Sequence, residues 1–371
     1  MKFVNELMFY FTKLNDRILD ETMMNTFIFF MKGGYRNMAK IKDIADLTGF
    51  SITTVSRVLN QDKNFNVSDE TRLKIMATAE KLNYVPLSKR NKTTKKNTTL
   101  TIGLVYWYSM AEEITDPYYM SIRLAIENHC QSHHINLQKI YLPLTSFDDI
   151  SAMNLDGLIA LGKYSDEEIQ NLQTLTRHLV LVDCYSKHYN IDVVMADLKE
   201  ATKDIISYLY DLQLKKIGFI CGVEKTLDGQ ELLDIRLTTY INQMSKLKAF
   251  HQNNVYLGSF TADSGYEIMS DIIKQGKLLD AYIVASDAMA IGCLKALNEN
   301  NIKVPDVVSI ISYDNISLSQ YTIPSLTTID MNTKHMGETA LDLLIERITN
   351  DREIAKKVTI PTRLIKRSSS Q

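Results

Sequence analysis

Only four cysteines occur among the 371 residues, and no two of them form a Cys-x-x-Cys pair. Isolated thiols are typical of a reduced cytoplasmic protein without a structural zinc site, so no metal is expected. The chain also lacks a glycine-rich phosphate loop, a G-x-S-x-G nucleophile motif and a metalloprotease motif. Enzyme activity therefore has no candidate residues, and no cofactor is expected.

Long hydrophobic runs are absent as well. The apolar run Thr26–Met31 is far shorter than the ~20 residues that a membrane helix needs. It is not followed by a small-residue cleavage site, so neither a membrane span nor a signal peptide is expected. The C-terminal tail carries no heptad pattern, which argues against a coiled-coil tetramer.

Residues 1–37 form an extension of uncertain origin. Lys32-Gly33-Gly34 is what a purine-rich ribosome-binding sequence would encode, and three residues separate it from Met38. This spacing predicts that translation starts at Met38 and that 1–37 is not normally made. The alternative is a genuine amphipathic extension that binds a partner. Mass spectrometry of the native N-terminus distinguishes the two, because peptides from 1–35 would exclude the first.

The segment 38–86 has the pattern of three short helices. One apolar face is predicted at helical spacing for Ile41, Ile44, Ala45 and Leu47. Gly49 stops this helix, since glycine adopts the left-handed turn at little cost. Ser51 and Ser68 stand at the N-cap positions of the next two helices. The third helix is predicted to continue the apolar face with Leu73, Met76 and Leu82.

The second of these helices has the character of a DNA-reading helix. Its buried side is predicted to be Val55, Val58 and Leu59, and its outward side Ile52, Thr53, Ser56, Arg57 and Asn60. Short polar side chains and one arginine on an exposed helix face suit the major groove of DNA. The alternative is an ordinary three-helix domain with a polar surface.

Charge distribution favours DNA binding. Residues 38–97 contain twelve Lys and Arg against six Asp and Glu, a net charge of +6, whereas the chain from Thr98 onward has a net charge of −9. Basic side chains bind phosphates by releasing the counterions around DNA. A basic N-terminal head on an acidic body therefore predicts a nucleic-acid partner for the head alone.

The segment 38–86 resembles the headpiece of the lactose/galactose repressor family, whose signature runs close to I-x-D-I-A-x-x-x-G-x-S-x-x-T-V-S-R-V-L-N and ends near L-N-Y-x-P. The matching positions are Ile41 to Ala45, Gly49, Ser51, Thr54 to Asn60, and Leu82 to Pro86. The resemblance implies that Ile52 and Thr53 specify bases and that Arg57 contacts a base, with guanine the best match for a guanidinium. Ser51, Thr54 and Asn60 are expected to position phosphates.

The linker 87–98 has five basic residues and no apolar periodicity, so it is at least a solvated connection. In the resembled family this segment is a hinge helix that inserts a leucine into the minor groove. Here Thr93 occupies the leucine position and Arg90 the position of a small residue. We therefore expect Lys89 and Arg90, with Lys92, to contact the minor groove electrostatically instead.

From Thr98 onward, short apolar runs alternate with amphipathic stretches. This alternation predicts parallel sheets covered by helices on both faces. About 270 residues are many for one such sheet, so two α/β lobes with a binding cleft between them are expected. The fold class is thus a small all-α helix-turn-helix headpiece plus a two-lobed α/β domain, which the family resemblance identifies as periplasmic-binding-protein-like with three crossovers between lobes.

The resemblance covers essentially everything after Met38 and is strongest to galactose- or lactose-operon repressors of low-GC Gram-positive bacteria. It places the lobes at about 99–196 with 331–350 and at about 197–330 with 351–371. Crossovers are expected near Asp197, Asp330 and Asp351. Helix Thr333–Thr349 would then belong to the first lobe and strand Lys357–Ile365 to the second.

By the same resemblance, the residues expected to bind the ligand are Tyr118, Tyr119, Asp183, Arg236, Phe260, Ser286 and Asp314. Arginine and aspartate match vicinal hydroxyls, and aromatic rings match the apolar faces of a pyranose, so a sugar agrees with these residue types. Simpler roles stay open: core packing for the two tyrosines, a surface ion pair with Asp234 or Glu231 for Arg236, and a turn for Asp314.

The sequence therefore predicts a transcriptional repressor that binds a palindromic operator in double-stranded DNA as a homodimer and responds to a small sugar or sugar phosphate. One alternative is a catabolite-control regulator that answers to a phosphorylated carrier protein, which would need a basic surface on the first lobe. Another is a sugar-binding protein without DNA binding, which would need an export signal and no headpiece.

Overall fold

The computed structural model describes residues 40–60, 65, 67–82, 84, 99–142, 145 and 147–370. The chain divides into two compact units between Thr98 and Thr99. The N-terminal extension 1–37 and the linker with Lys89, Arg90 and Thr93 lie outside the described residues. Within these residues, no helix combines the length and the apolar character that crossing a bilayer requires.

Among its described residues, the first unit contains three helices, which are α1 Ile41–Thr48, α2 Ile52–Leu59 and α3 Asp69–Lys81. Gly49 has a φ of 79° and ends α1 in the left-handed conformation, as the sequence predicts. Ser51 Oγ accepts a hydrogen bond from the Thr54 amide at 3.1 Å, and Ser68 Oγ accepts one from the Thr71 amide at 3.3 Å. Both predicted N-caps are confirmed.

The small core of this unit forms where the three helices meet. Ile44, Val55 and Ile75 are fully buried in it. The predicted faces of α1 and α3 were partly wrong: the exposed side chains include Leu47 at 64%, Leu73 at 68% and Met76 at 44%. Ile75 and Ala79, four residues apart, form the buried stripe of α3 instead. Thr48 replaces Leu47 in the core because its hydroxyl donates to the Ile44 carbonyl at 2.7 Å, which satisfies its polarity.

The second unit contains two six-stranded sheets. The first has the order β13-β5-β4-β3-β1-β2, and all its strand pairs are parallel. Its strands are β1 Thr101–Tyr106, β2 Asn136–Tyr141, β3 Gly157–Leu161, β4 Leu179–Val182, β5 Asp192–Ala196 and β13 Lys357–Ile360. Its helices are α4 Met110–Thr115, α5 Tyr118–Ser132, α6 Phe147–Ala152, α7 Asp166–Leu175 and α12 Thr333–Asn350. Ile102 and Leu104 of β1 pack with α5 and α12, while Val105 packs with α6 and α7, so both faces are covered.

The second sheet has the order β14-β12-β11-β10-β6-β9. Its strands are β6 Ile217–Gly222, β9 Val255–Gly258, β10 Ala281–Val284, β11 Ser309–Asp314, β12 Thr327–Asp330 and β14 Arg363–Ile365. Its helices are α8 Leu198–Asp211, α9 Ile235–Lys246, α10 Ala262–Lys274 and α11 Asp287–Glu299. Only β14 runs antiparallel to its neighbour. A separate two-stranded hairpin, β7 Glu224–Lys225 with β8 Glu231–Leu232, follows β6 and was not predicted.

The chain passes three times between the lobes, but the third crossover lies elsewhere than predicted. β13 pairs in parallel with β5 in the first sheet, and only β14 joins the second, so the crossover is at 361–362 and not near Asp351. The reason is the fully buried carboxylate of Asp192. It accepts hydrogen bonds from the Arg352 guanidinium at 2.6 and 2.9 Å and from the Lys356 amide at 2.6 Å, which holds the chain after α12 against β5.

Candidate functional site

The exposed face of α2 carries the residues predicted to read bases. Ile52 is 48% exposed, and Thr53 and Arg57 are also exposed. The guanidinium carbon of Arg57 lies 5.2 Å from the centroid of the Phe65 ring. This contact restricts the arginine before it meets any partner, since the charged group is attracted to the ring face. The helix thus presents one apolar, one hydroxyl and one guanidinium group to solvent.

The residues predicted to contact phosphates lie at the two ends of α2. The hydroxyls of Ser51 and Thr54 are 2.9 Å apart at its N-terminus. Asn60 ends the helix, and its Nδ2 donates to Ser56 Oγ at 3.4 Å. These groups are exposed except for Thr54, which is partly buried. Their contacts with phosphate stay predictions.

A cavity lies between the two lobes, at the carboxyl ends of strands from both sheets. Its walls include all seven residues predicted to bind ligand, namely Tyr118, Tyr119, Asp183, Arg236, Phe260, Ser286 and Asp314. The free space inside is about 30 Å³, which is room for one or two water molecules. We call this space the inner chamber. This space is too small for a sugar ring, so a ring fits only when the walls move.

Arg236 is buried in the wall of the inner chamber. It is therefore not the surface residue that the alternative of an exposed ion pair required. It is 6% exposed at the start of α9. Its Nε donates to both oxygens of Asp234 at 3.0 Å, and its Nη2 lies 2.7 Å from Asp234 Oδ2 and 3.2 Å from Glu224 Oε1. Its Nη1 donates to the Ala285 carbonyl at 2.7 Å. Burial alone raises the pKa of Asp234, but this ion pair outweighs it and holds the pKa below the ordinary value.

Asp183 is the polar centre of the first lobe's wall. Its Oδ2 accepts a hydrogen bond from the Tyr119 hydroxyl at 2.7 Å and lies 3.0 Å from Lys163 Nζ. Its other oxygen, Oδ1, is buried and accepts no hydrogen bond from the residues that the structure describes. A buried acceptor without a donor costs about 1–3 kcal/mol. A donor supplied by a ligand would remove that cost.

The two lobes are joined across the inner chamber by an ion pair. Lys163 follows β3 in the first lobe, and its Nζ lies 3.6 Å from Glu224 Oε2 in the second. Both side chains are largely buried, at 10% and 15% exposure. Glu224 also meets Arg236, so one carboxylate connects the cations of the two lobes. Opening the cleft therefore separates Lys163 from Glu224.

Two further carboxyls give the chamber an excess of acid groups. Burial raises the pKa of Asp116 to about 6, with Arg236 acting in the opposite direction. Burial, together with the nearby Asp116 and Asp287, raises the pKa of Asp314 well above its ordinary value. Asp314 also has a φ of 103°, a strained backbone for an aspartate. This is more than a surface turn, because the side chain points among buried charges.

Aromatic rings form a continuous group beside these charges. Trp107 stacks on Tyr108 with centroids 4.5 Å apart, and both rings meet the edge of Tyr119, at 5.5 and 4.8 Å. Tyr118 packs against Tyr119 with centroids 4.9 Å apart and is 8% exposed. It therefore packs in the core, which is the simpler role that the sequence left open for it. Phe260 lies beneath the Arg236 guanidinium at 5.2 Å.

Ser286 has a local structural role in the wall. It caps α11, its Oγ accepting from the Met289 amide at 3.3 Å, and it is 1% exposed. The following residue, Asp287, accepts hydrogen bonds from Thr328 Oγ1 at 2.6 Å, from the Ile316 amide at 2.8 Å and from the Ser312 hydroxyl. This network fixes the loop after β11 and hence the position of Asp314.

Sequence reasoning missed Trp107, Tyr108, Asp116, Lys163 and Glu224, which all line the same chamber. A signal for them was present. Trp107 follows β1, Lys163 follows β3 and Glu224 follows β6. Side chains that follow parallel strands converge at one edge of a sheet, which is where α/β proteins bind ligands.

Three histidines, His129, His133 and His134, lie at the C-terminal end of α5 or directly after it. His133 and His134 are exposed, but His129 is only 20% exposed in its side chain, and its Nε2 lies 2.9 Å from Asp342 of α12. Potential ligand atoms of His129, His133 and Asp342 lie within 4.8 Å of one another. The absence of a bound metal stays a prediction.

Comparison with known proteins decides the family. The family "Bacterial regulatory proteins, lacI family" matches residues 40–87, and the "Periplasmic binding protein-like domain" matches 206–370. The "HTH-type transcriptional regulator GalR" of Lacticaseibacillus casei is 38% identical over 336 residues, covering 90% of this chain and all of that protein. The "HTH-type transcriptional repressor MelR" of Bacillus subtilis is 36% identical over 341 residues, covering 90% and 97%. The chain belongs to the lacI family.

A solved structure of a lacI-family member shares the fold. The lac repressor dimer bound to operator and the anti-inducer ONPF is 23% identical, with a TM-score of 0.64, and covers 90% of this chain and 99% of that one. The predicted fold class is confirmed: a small helix-turn-helix unit and a two-lobed, mostly parallel α/β domain. The protein is a transcriptional regulator with a helix-turn-helix DNA-binding unit, as the sequence predicts.

The raised pKa of Asp116 makes the stability of this lacI-family protein depend on pH. The folded protein holds this proton more tightly than the unfolded chain, so the carboxyl destabilises the fold as pH rises from about 4 through about 6. Asp116→Asn stays neutral and keeps the oxygen that accepts from the Tyr118 amide. Relative to wild type, its free energy of unfolding should increase by on the order of 2 kcal/mol between pH 5 and pH 7.5.

Thermal melts of both proteins across this pH range measure the effect. The matched control is Asp148→Asn, which changes an exposed aspartate of α6 and should follow wild type at each pH. A difference between Asp116→Asn and wild type that is the same at pH 5 and pH 7.5 would show that Asp116 is not a raised-pKa group.

Proposed function

We propose that this repressor binds a palindromic operator as a homodimer and that an uncharged sugar in the inner chamber controls its affinity for DNA. The binding experiment below measures whether the sugar releases the repressor from the operator or recruits it to the operator. The headpiece supplies sequence recognition and the two-lobed unit supplies the response.

The dimer follows from the size of the reading surface. One α2 offers Ile52, Thr53 and Arg57, which is too few base contacts for a useful preference. Two headpieces related by a two-fold axis double the contacts and read the same half-site twice, which makes the operator palindromic. The lac repressor of the structural comparison is itself a dimer on its operator.

The charged side chains of the chamber wall favour a neutral sugar over a sugar phosphate. The chamber wall has four carboxyl side chains, Asp116, Asp183, Glu224 and Asp314, against two cations, Lys163 and Arg236. Both cations already lie against carboxylates. Neither cation of this wall is therefore free to bind a phosphate, whereas sugar hydroxyls form favourable hydrogen bonds with the carboxyl groups.

The observation that carries the proposal is Asp183 Oδ1. Asp183 lines the chamber beside aromatic and carboxyl side chains, and this oxygen is buried with no donor among the described residues. A sugar hydroxyl supplies that donor, and the adjoining rings of Tyr108 and Phe260 accept the apolar face of a pyranose.

Sugar binding is coupled to DNA binding because the empty chamber is too small for a sugar ring. Because only about 30 Å³ is free, a sugar ring fits when the lobes separate at Lys163 and Glu224. Occupied and empty chambers thus differ in the angle between lobes, and three chain crossovers allow such a hinge motion. The sugar shifts the equilibrium only by its difference in affinity for the two states.

The other functions considered from the sequence have less support. The match of residues 40–87 to the lacI family argues against an exported sugar-binding protein. Control by a phosphorylated carrier protein would require a basic surface on the first lobe, for which the acidic body gives no support. We also propose that the protein acts in the cytoplasm and catalyses no reaction, because its family consists of regulatory proteins that act on DNA.

The test is fluorescence anisotropy with a labelled palindrome from the promoter region of the protein's own gene, titrated with galactose, lactose and galactose 6-phosphate. We expect sequence-specific binding at low salt and a change in operator affinity with a neutral sugar but not with the phosphate. Asp183→Ala should abolish the sugar response and leave operator binding intact. A response to galactose 6-phosphate alone would overturn the neutral-sugar proposal.

A further inference from the structure

A second, larger cavity shares part of its wall with the inner chamber. It has about 480 Å³ of free space, and we call it the outer chamber. Five wall residues are shared with the inner chamber, namely Trp107, Tyr108, Asp116, Glu224 and Phe260. The two spaces therefore lie side by side, and a ligand of two linked parts can contact residues of both.

The wall of the outer chamber has the composition of a saccharide site. Its aromatic surface is the Trp107–Tyr108 stack and Phe260. Its polar residues are Ser109, Glu112, Thr115, Thr226, Ser259 and Thr261. Hydroxyls and a carboxylate beside flat rings bind an uncharged pyranose. Its cation, Lys225, has a side chain 55% exposed and pairs with Glu231 at 3.4 Å, which leaves little reason for an anion to bind here.

The hairpin β7–β8 forms part of the wall of this chamber. It arises from the second lobe, and its residues Lys225, Thr226 and Leu227 line the space. Its tip is attached to the first lobe, because the Asp228 amide donates to Glu168 Oε1 at 2.9 Å and Leu227 packs against the apolar cluster of that lobe. The hairpin therefore connects the two lobes beside the chamber.

A single sugar ring leaves one of these two chambers empty. In the inner chamber it would leave about 480 Å³ of adjoining space unfilled, and in the outer chamber it would not contact Asp183, which lines only the inner chamber and has an oxygen without a donor among the described residues. A molecule of two linked rings meets both requirements. We infer that the outer chamber is a second sugar subsite and that the effector is a neutral disaccharide or longer saccharide. This inference rests on the sugar-binding function proposed above.

Calorimetric titration of the full chain tests it with lactose, melibiose, cellobiose and maltose and with their components galactose and glucose. We expect at least one disaccharide to bind roughly tenfold or more tightly than either of its component sugars, because the second ring buries further apolar surface. Equal affinities for a disaccharide and its components would overturn the inference and leave the proposed function standing. If none of the six sugars binds, both are wrong.

A substitution locates the second ring. Val223 lies in the outer chamber only and is 37% exposed, so Val223→Trp fills that space without altering the inner wall. It should weaken disaccharide binding by at least roughly tenfold and leave monosaccharide binding unchanged. The matched control is Leu257→Trp, at a 58% exposed position of β9 that lines neither chamber. Thermal melts confirm that both variants fold. An equal loss for both sugar sizes in Val223→Trp would contradict the assignment.

Discussion

Replacing Arg236 with methionine is expected to destabilise the two-lobed unit by about 3–5 kcal/mol, because two buried carboxylates lose their partner. Asp234 is 6% exposed, and Glu224 has a side chain 15% exposed. The guanidinium also donates to the Ala285 carbonyl and lies over Phe260, contacts that methionine cannot replace. The loss should appear as a lower denaturant midpoint with the effector response abolished.

An exposed ion pair provides the control for Arg236. Arg177 and Asp351 are 2.8 Å apart with side chains 73% and 68% exposed. Arg177→Met should cost no more than about 1 kcal/mol, since solvent screens such a pair. Adding Asp234→Asn to Arg236→Met should recover part of the lost stability, because one of the stranded charges is removed. Equal, small losses for Arg236→Met and Arg177→Met would show that the buried network does not stabilise the fold.

Arg57→Ala is expected to weaken operator binding by roughly 10- to 100-fold for each half-site, the value of one bidentate guanine contact of about 1–3 kcal/mol. Arg57 is exposed on α2 and is oriented by the Phe65 ring. The loss should be specific to sequence, so that the variant approaches its own affinity for random DNA. Anisotropy titrations with the operator and with a scrambled duplex measure both quantities.

The control for Arg57 is Lys81→Ala, which removes one exposed positive charge at the end of α3. It changes the charge of the headpiece by the same amount. It should weaken binding to operator and scrambled DNA about equally, because a phosphate contact carries no sequence information. If Arg57→Ala also weakened both duplexes equally, Arg57 would be a phosphate contact and the guanine assignment would be wrong.

Local signals in the sequence predicted most elements of the fold. Gly49, Ser51 and Ser68 act where the backbone requires a left-handed residue or an N-cap, and those requirements depend only on neighbouring residues. The alternation of apolar runs and amphipathic stretches predicted the two helix-covered, mostly parallel sheets. The seven ligand-site residues lie in one cavity because they follow parallel strands or begin the adjoining helices.

The features that sequence reasoning missed depend on contacts between distant residues. Strand β13 joins the first sheet because Asp192 holds Arg352, 160 positions away. The Lys163–Glu224 pair joins two lobes, and no spacing in the chain encodes it. The hairpin β7–β8 has strands of two residues, too short to show an alternating pattern. Leu73 was misplaced because helical spacing alone does not say which of two apolar stripes faces the core.

The central claim is that a sugar in the cleft and an operator on the headpiece influence each other's binding. The most direct measurement is the affinity of the active neutral sugar for the free protein and for the protein saturated with operator DNA. Binding linkage predicts that operator changes sugar affinity by the same factor by which sugar changes operator affinity. Tight sugar binding with one affinity in both states would contradict the account.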